Sequence, residues 1–217
     1  MTIDKATIIN WALTSIGAGP IFSVDDETDL AETIEHTWQP VVDRVFGMHG
    51  WTFAKETLPN VRHLADPGNG WRYGYDLPGH RIGSPLKYLD QAGVSPRPLK
   101  HFALERGRLF CNAPETWSLC KVYVDPDYWP PEWRGAFVIA LAGALAMPIW
   151  QDQDLQDAKF TEAFGTPSRE GTGGLFGRLM AQDRASEPVS DMGLDENPLA
   201  NARYSGTAGD LPWHGRY

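Results

Sequence analysis

Residues 131–150 read PEWRGAFVIALAGALAMPIW, and this stretch decides the fold. Its large apolar residues recur at helical spacing and most other positions are apolar too, which is typical of a helix buried on nearly all sides. Proline is well placed in a first helical turn, so the helix should begin just after Pro130-Pro131. The alanines and Gly143 leave room for another helix to approach closely. The most apolar part, 136–150, is shorter than the roughly 20 residues that a membrane span needs, and Pro148 interrupts it, so we expect a central core helix.

Helices are also predicted on both sides of this stretch. Periodic apolar residues place them at 4–16, 27–46, 154–164 and 175–184. In the second of these, Ser23 or Asp25 could provide the N-cap. Pro40 should bend or break the same helix, because proline has no backbone N–H to donate.

Between the helices the apolar period changes from about 3.6 to 2. Trp51 and Phe53 alternate with polar positions, and the stretch 71–77 alternates more cleanly. The stretch 105–108 (ERGR) fits the turn of a hairpin. The segment 51–128 is therefore predicted to be a small antiparallel unit of about five strands.

These patterns predict an α+β fold in which helices from both ends of the chain form a bundle around an inserted β unit. The helical domain comprises 1–50 and 129–185, and the small antiparallel β domain comprises 51–128. Residues 186–217 are rich in Pro, Gly, Asn and Asp and show no period, so we expect an extended C-terminal tail.

Composition and charge restrict the function classes. The formal net charge is −9, which makes the chain a poor candidate for wrapping DNA by neutralising phosphates. A ring lined with carboxylates would let a duplex slide, although acidity can also serve solubility alone. The two cysteines are not a disulfide framework. The residues after Met1 show no basic region followed by a long apolar run, so we expect no secretory leader.

The sequence shows no pattern that carries chemistry. The glycine-rich stretch 171–177 has no preceding strand and no following Gly-Lys-Ser, so we interpret it as a flexible joint rather than a phosphate loop. Asp152 with Asp154, and Asp125 with Asp127, are interpreted as caps or turns, because calcium needs six or more oxygen ligands.

The histidines and cysteines give no constellation either. None of the six histidines pairs with another ligand at metal spacing. Cys111 and Cys120 are predicted on neighbouring strands as buried free thiols, and nothing local makes His101 their base. A glutamate–aspartate pair for glycosidic cleavage stays open, because such pairs can be distant in sequence. We predict no catalytic, metal-binding or cofactor-binding residue, and we expect that the chain is not an enzyme.

Two aromatic groups remain to be interpreted. Five aromatic residues of the β unit favour an ordinary core face over a stacking platform for sugars or bases, because they alternate along strands; they are Trp51, Phe53, Trp71, Tyr73 and Tyr75. The tail ends in four residues that are typical of interface anchors, so we predict that they bind a partner; they are Leu211, Trp213, Arg216 and Tyr217.

Several strings, taken in order, resemble one family: the tail tubular protein A-like and related head-to-tail adaptor (connector) proteins of tailed phages and gene transfer agents. The strings are 9–17 (INWALTSIG), 38–46 (WQPVVDRVF), 49–54 (HGWTFA), 71–78 (WRYGYDLP) and 158–183, which ends MAQD. The resemblance covers about 1–185. Gly50 stands where the family usually has proline, and the interruption at 165–174 breaks the family's last helix.

The resemblance implies a virion protein located at the neck, made in the cytoplasm of a bacterial host, with no cofactor and no membrane partner. It implies a homo-oligomeric ring, a dodecamer, below the portal protein, with the next neck or tail protein on the other side. DNA would pass through the lumen without sequence-specific binding. The alternative is a tail-associated protein that binds or hydrolyses cell wall or polysaccharide; exposure of Trp71 and Tyr73 would favour binding.

Overall fold

The long apolar helix packs inside a shell of other helices. A computed structural model describes residues 2–20, 22, 29–63, 67–93, 96–169 and 171–186. Helix α3 (Pro131–Trp150) contacts α1 (Lys5–Ser15), α2 (Asp29–Gly47) and α4 (Gln153–Phe164). The last helix of the described residues is α5 (Gly174–Ser186). Helix α3 is long and apolar enough to cross a membrane, but half of that stretch is buried inside the molecule, as in a core helix.

Both internal prolines leave their helices continuous, which corrects the expectation of a break at Pro40. Helix α2 runs unbroken through Pro40, whose side chain is exposed. The carbonyl that this proline leaves unpaired belongs to exposed His36, so water can satisfy it. Helix α3 runs through Pro148 to its full 20 residues. Because Pro148 lies in the last turn, it removes only one hydrogen bond near an end that frays anyway.

Side-chain caps fix two helix starts. The amide and the hydroxyl of Thr7 donate to Asp4 Oδ1 at 2.8 and 2.6 Å, and these bonds lower the pKa of Asp4 below its usual value. The amide of Leu155 donates to Asp152 Oδ1 at 2.9 Å, so Asp152 caps α4 as predicted. The candidate caps Ser23 and Asp25 of α2 lie outside the described residues.

An aromatic cluster fills the core where α2, α3 and α5 meet the first residues of the β unit. The ring of Trp133 lies 5.0 Å from Phe46, 6.0 Å from Trp51 and 6.1 Å from Phe176, measured between centroids. Trp51 also donates from Nε1 to Val45 O at 2.8 Å. Such pairs add to the free energy gained by burying the rings. Trp51 therefore belongs to the helical core, and the residues after it form a 3-10 turn (Thr52–Ala54) instead of the predicted strand.

The described residues between α2 and α3 form eight strands in two antiparallel sheets, where the sequence predicted about five strands. The first sheet has the order β1-β8-β4-β5, formed by Lys55–Pro59, Trp117–Lys121, Lys87–Gln91 and Arg97–Pro98. The second has the order β2-β3-β7-β6, formed by Val61–Arg62, Tyr73–Asp76, Arg108–Cys111 and Phe102–Glu105. The predicted hairpin is confirmed as β6–β7: Arg106 and Gly107 have φ of 49° and 75°, as a type I′ turn requires.

The second sheet has a small core of its own, formed by Tyr75, Leu109 and Cys111. Cys120 is buried in the first sheet, so the prediction that the two thiols lie on neighbouring strands is wrong. Within the described residues the architecture is thus mixed α and β, with five helices and two small antiparallel sheets. By contacts the chain forms two compact units, Met1–Asp183 and Arg184–Tyr217, and the fold described above is that of the first.

Glycines allow two close backbone contacts between α4 and α5. Gly165 ends α4 with φ of +82°, and a Cβ built on it would lie 2.6 Å from Gly173 Cα. A Cβ on Gly177 would lie 2.1 Å from Thr172 O. The predicted interruption of the last helical region is therefore present. Close packing gives these glycines a structural reason, and the flexibility of the joint stays a prediction.

Candidate assembly surface

The residues predicted to bind a partner, Leu211, Trp213, Arg216 and Tyr217, lie outside the described part of the chain. Their role stays a prediction. The candidate surface has to be sought on the described unit, where the β segment provides two neighbouring features.

The first feature is a groove at the point where the chain passes from the first sheet to the second. It has a volume of about 300 Å³ and mostly apolar walls, formed by Pro59, Asn60, Arg62, Tyr75, Pro114, Glu115, Thr116 and Trp117. Pockets of this kind, apolar with a few polar groups, are the usual receptors for small ligands or single side chains.

Buried polar groups hold the floor of the groove. Asn60 donates from Nδ2 to Thr116 Oγ1 at 3.0 Å and accepts at Oδ1 from Ser118 Oγ at 2.7 Å. The backbone amide of Asn60 donates to Thr116 O at 3.0 Å. All three residues are buried, and satisfied buried networks fix one arrangement of the chain. The two strand ends that flank the groove are therefore held together by hydrogen bonds.

The walls of the groove carry one cation, one carboxylate and a neutral phenol. The guanidinium of Arg62 lies 4.0 Å from the centre of the Tyr73 ring. Burial raises the pKa of Tyr75 to about 12, and its hydroxyl donates to Ala113 O at 2.6 Å. Glu115 is the carboxylate of the lining. The groove therefore suits an apolar side chain that has polar groups at its edge.

The second feature is a set of exposed apolar residues on both edge strands of the second sheet. Val61 on β2 is 67% exposed, and Phe102 and Leu104 on β6 are 37% and 49% exposed. The Phe102 ring lies 5.0 Å from that of Tyr88. Exposed apolar side chains grouped on a sheet edge are typical of interaction sites.

The thiols have the environment of structural cysteines. Burial raises the pKa of both Cys111 and Cys120, which keeps them protonated and unreactive at neutral pH. The Cys111 thiol has Ala113 O as its hydrogen-bond partner at 3.8 Å. In the described part of the chain no three of the His, Cys, Asp and Glu side chains lie close enough to hold a metal ion.

One histidine forms a contact that the sequence did not reveal. His49 Nε2 lies 3.0 Å from Asp183 Oδ2, and both side chains are largely buried. The backbone amide of Thr52 also donates to this carboxylate, at 3.2 Å. The contact links α5 to the residues that follow α2, so its role is structural. We call it the His49–Asp183 clasp.

The five aromatic residues of the β unit do not form one surface. Trp51 lies in the helical core and Tyr75 in the core of the second sheet, both almost fully buried. The other three, Phe53, Trp71 and Tyr73, are half-buried. The expected shared core face is therefore divided between two cores.

No protein-family model and no curated protein matches the chain. The comparisons therefore leave its family open.

Sequence reasoning did not find the groove or the clasp, because each brings together segments that are distant in the chain. Asn60 and Thr116 are 56 residues apart, and His49 and Asp183 are 134 apart. The only local signals were Pro59 and Pro114, which mark the ends of extended segments.

Proposed function

We propose that the chain is a structural head-to-tail adaptor (connector) subunit of a tailed phage or phage-like particle. Copies form a ring, a dodecamer, that joins the portal protein to the next neck or tail protein and surrounds the DNA channel at the virion neck. In this proposal the terminal helices form a bundle and the β segment is an inserted domain. The subunit acts by binding and performs no catalysis.

The observation that carries the proposal is that three of the strings resembling adaptor proteins meet in space. Trp51, from the string 49–54, lies 6.1 Å from Phe176 in the string 158–183. Phe46, from the string 38–46, lies 5.0 Å from Trp133, which also contacts Trp51. Strings scattered by chance would have no reason to share one core.

The His49–Asp183 clasp adds a polar contact between two of the same strings. Its carboxylate also accepts from the backbone amide of Thr52, within the string 49–54. The matched residues thus form both the apolar and the polar contacts that position α5. This supports reading the strings together, as parts of one resemblance, rather than as separate coincidences.

The charge of the chain fits a channel through which DNA moves. A formal charge of −9 per copy would repel phosphates from a ring of many copies. Exposed apolar groups on the sheet edges would supply contacts between subunits, since interfaces need apolar area at their centre.

A polysaccharide-binding role receives little support from the aromatic residues. Sugar binding needs an open aromatic face, but Trp71 and Tyr73 are half-buried. The guanidinium of Arg62 already covers the Tyr73 ring at 4.0 Å.

The test is co-purification with the portal protein of the same particle. The intact chain should bind the portal and form rings visible by electron microscopy. A chain that ends at residue 186, and a second chain with residues 187–217 in scrambled order, separate tail sequence from tail length. Failure of the intact chain to bind would refute the adaptor function. Equal binding by all three chains would remove the tail from the proposal.

A further inference from the structure

The four sheet edges of the β segment are protected very unequally. In the first sheet, edge strand β1 carries Lys55, Glu56 and a terminal Pro59, and edge strand β5 contains Pro98. Charges and prolines on edge strands prevent pairing with another chain. In the second sheet, strands β2 and β6 contain no proline and no lysine, and they expose large apolar side chains. Each of these two strands carries a single charge, Arg62 or Glu105, so the two edges that lack proline belong to one sheet.

The main chain of β6 presents hydrogen-bonding groups to the outside. Glu105 and Arg108 flank the two-residue turn, and residues in that position exchange both hydrogen bonds. Because bonding alternates along a strand, Phe102 and Leu104 direct their N–H and C=O groups away from β7. In the part of the chain that the structure describes, β7 is the only strand paired with β6.

The same alternation fixes the outward groups of β2. The amide of His63 donates to Gly74 O at 2.8 Å, so the bonding groups of His63 face β3. Arg62, one residue earlier, must direct its N–H and C=O groups to the outside. Each edge of the second sheet thus has main-chain groups ready to form a ladder.

Two of the three exposed apolar side chains, Phe102 and Leu104, lie on the same face of the second sheet as the groove, whereas Val61, opposite Asp76, lies on the other face. Arg62 is opposite Tyr75, Tyr75 is opposite Leu109, and Leu109 is opposite Leu104. Directly opposite residues point to one face. Leu104 and Phe102 therefore project from the β6 edge on the face where Arg62 and Tyr75 line the groove at the β2 edge.

We propose that β6 of one copy pairs with β2 of the next, so that the second sheet continues from subunit to subunit. Since the sheet has four antiparallel strands, β6 and the following β2 run in opposite directions, as an antiparallel ladder requires. Pairing Phe102 with Arg62 of the neighbouring copy places Leu104 opposite Asn60, beside the groove. Because the Asn60 amide already donates to Thr116 O, only the Asn60 carbonyl is left to accept from the Leu104 amide. The exposed apolar pair of one copy then fills the groove of the other.

This joint is head-to-tail, because its two surfaces differ, and repetition of such a joint builds a ring when the rotation between copies closes. The inference therefore rests on the ring of the proposed function and names its subunit contact. Pairing β2 with a second β2 would place two Arg62 side chains directly opposite each other, which is unfavourable.

Engineered cysteines test the joint in the full chain. In the proposed register Val61 lies opposite Ala103 of the neighbouring copy, in a non-hydrogen-bonded pair whose Cβ atoms are close enough for a disulfide. Within one copy these residues are three strand spacings apart, about 14 Å, so they cannot bridge. The variant carrying Val61→Cys and Ala103→Cys should form a ladder of covalent multimers under mild oxidation. Buried Cys111 and Cys120 should not contribute.

The single variants and one matched pair are the controls. Val61→Cys alone and Ala103→Cys alone should give no ladder. Strong dimers of the Ala103→Cys variant would show β6 paired with β6 and would overturn the proposal. Thr57→Cys combined with Ala103→Cys, which uses exposed Thr57 on the protected edge β1, should also give no ladder.

Cross-linking is done on the chain alone and on its complex with the portal protein, which separates the two proposals. A portal complex without the ladder would overturn the β6–β2 joint and leave the adaptor function standing. A ladder without portal binding would refute the adaptor function and leave the β6–β2 joint standing. Leu104→Lys in the double-cysteine chain should abolish the ladder, whereas Met147→Lys, at an equally exposed apolar position on α3, should keep it.

Discussion

Two glycines of α3 allow the packing of the central helix to be measured. Gly135 is exposed, and a Cβ built on it meets nothing within 4 Å. Gly143 is buried, and a Cβ on it would lie 2.8 Å from Phe160 Cδ1 and 3.1 Å from Lys159 Cβ. The same substitution to alanine therefore adds one methyl group to open space in one case and to the α3–α4 contact in the other.

The expected free energies follow from two terms. Alanine is better than glycine in a helix interior by about 0.8–1.0 kcal/mol, and both variants gain this. Overpacking a well-filled contact costs about 1–3 kcal/mol, and only Gly143→Ala pays it. Gly135→Ala should therefore stabilise the protein by about 1 kcal/mol. Gly143→Ala should destabilise it by about 1 kcal/mol, so the two variants should differ by about 2 kcal/mol.

The assay is urea unfolding followed by tryptophan fluorescence, since Trp133 is buried in the core. The slope of the free energy with urea should be the same for both variants, which shows that only stability changed. In thermal unfolding the two midpoints should differ by roughly 4–8 °C for a chain of this size. Equal stabilisation by both alanines would refute the close approach of α4 to α3 at Gly143.

Four further outcomes are expected. Gly165→Ala should destabilise the protein by about 3 kcal/mol in urea unfolding, because φ of +82° and the contact with α5 both exclude a Cβ. Asp183→Ala should cost about 1–2 kcal/mol in the same assay, because it removes the partner of the largely buried His49 ring and of the exposed Thr52 amide. Burial raises the pKa of Tyr75 from 10.0 to about 12, so its neutral phenol contributes stability that is present below pH 10 and lost as the pH rises through 12. In the Tyr75→Phe variant the free energy of unfolding, measured in urea at several pH values, should therefore depend less on pH over this range. Neither Cys111 nor Cys120 should react with a thiol reagent at neutral pH until the protein is unfolded, as measured by absorbance.

The helices could be predicted from the sequence because each has a strong apolar period. The prediction for α3 was good in position and in burial. What failed was the effect of proline, since a one-dimensional pattern does not show which carbonyl a proline leaves free. At Pro40 that carbonyl belongs to exposed His36, and Pro148 itself lies in the final turn of α3.

The β segment was harder to predict because its strands are short and its sheets are joined by tertiary contacts. The alternation of Trp51 with Phe53 is the pattern of a strand, yet Trp51 is buried in the helical core and Phe53 packs against it. The division into two sheets depends on Asn60, whose side chain bonds to Thr116 and Ser118 across the chain. Pairing over such distances leaves no local signal.

The two cores of the described unit differ greatly in size, and this bears on why one sheet keeps unprotected edges. The helices and the first residues of the β segment share one large buried cluster. The second sheet buries only Tyr75, Leu109 and Cys111 in a core of its own. Small sheets with little core are marginal when isolated. A sheet of this kind gains more from a neighbouring strand than a well-buried one does. In the proposed β6–β2 joint, exposed Phe102 and Leu104 would extend this small core across two copies.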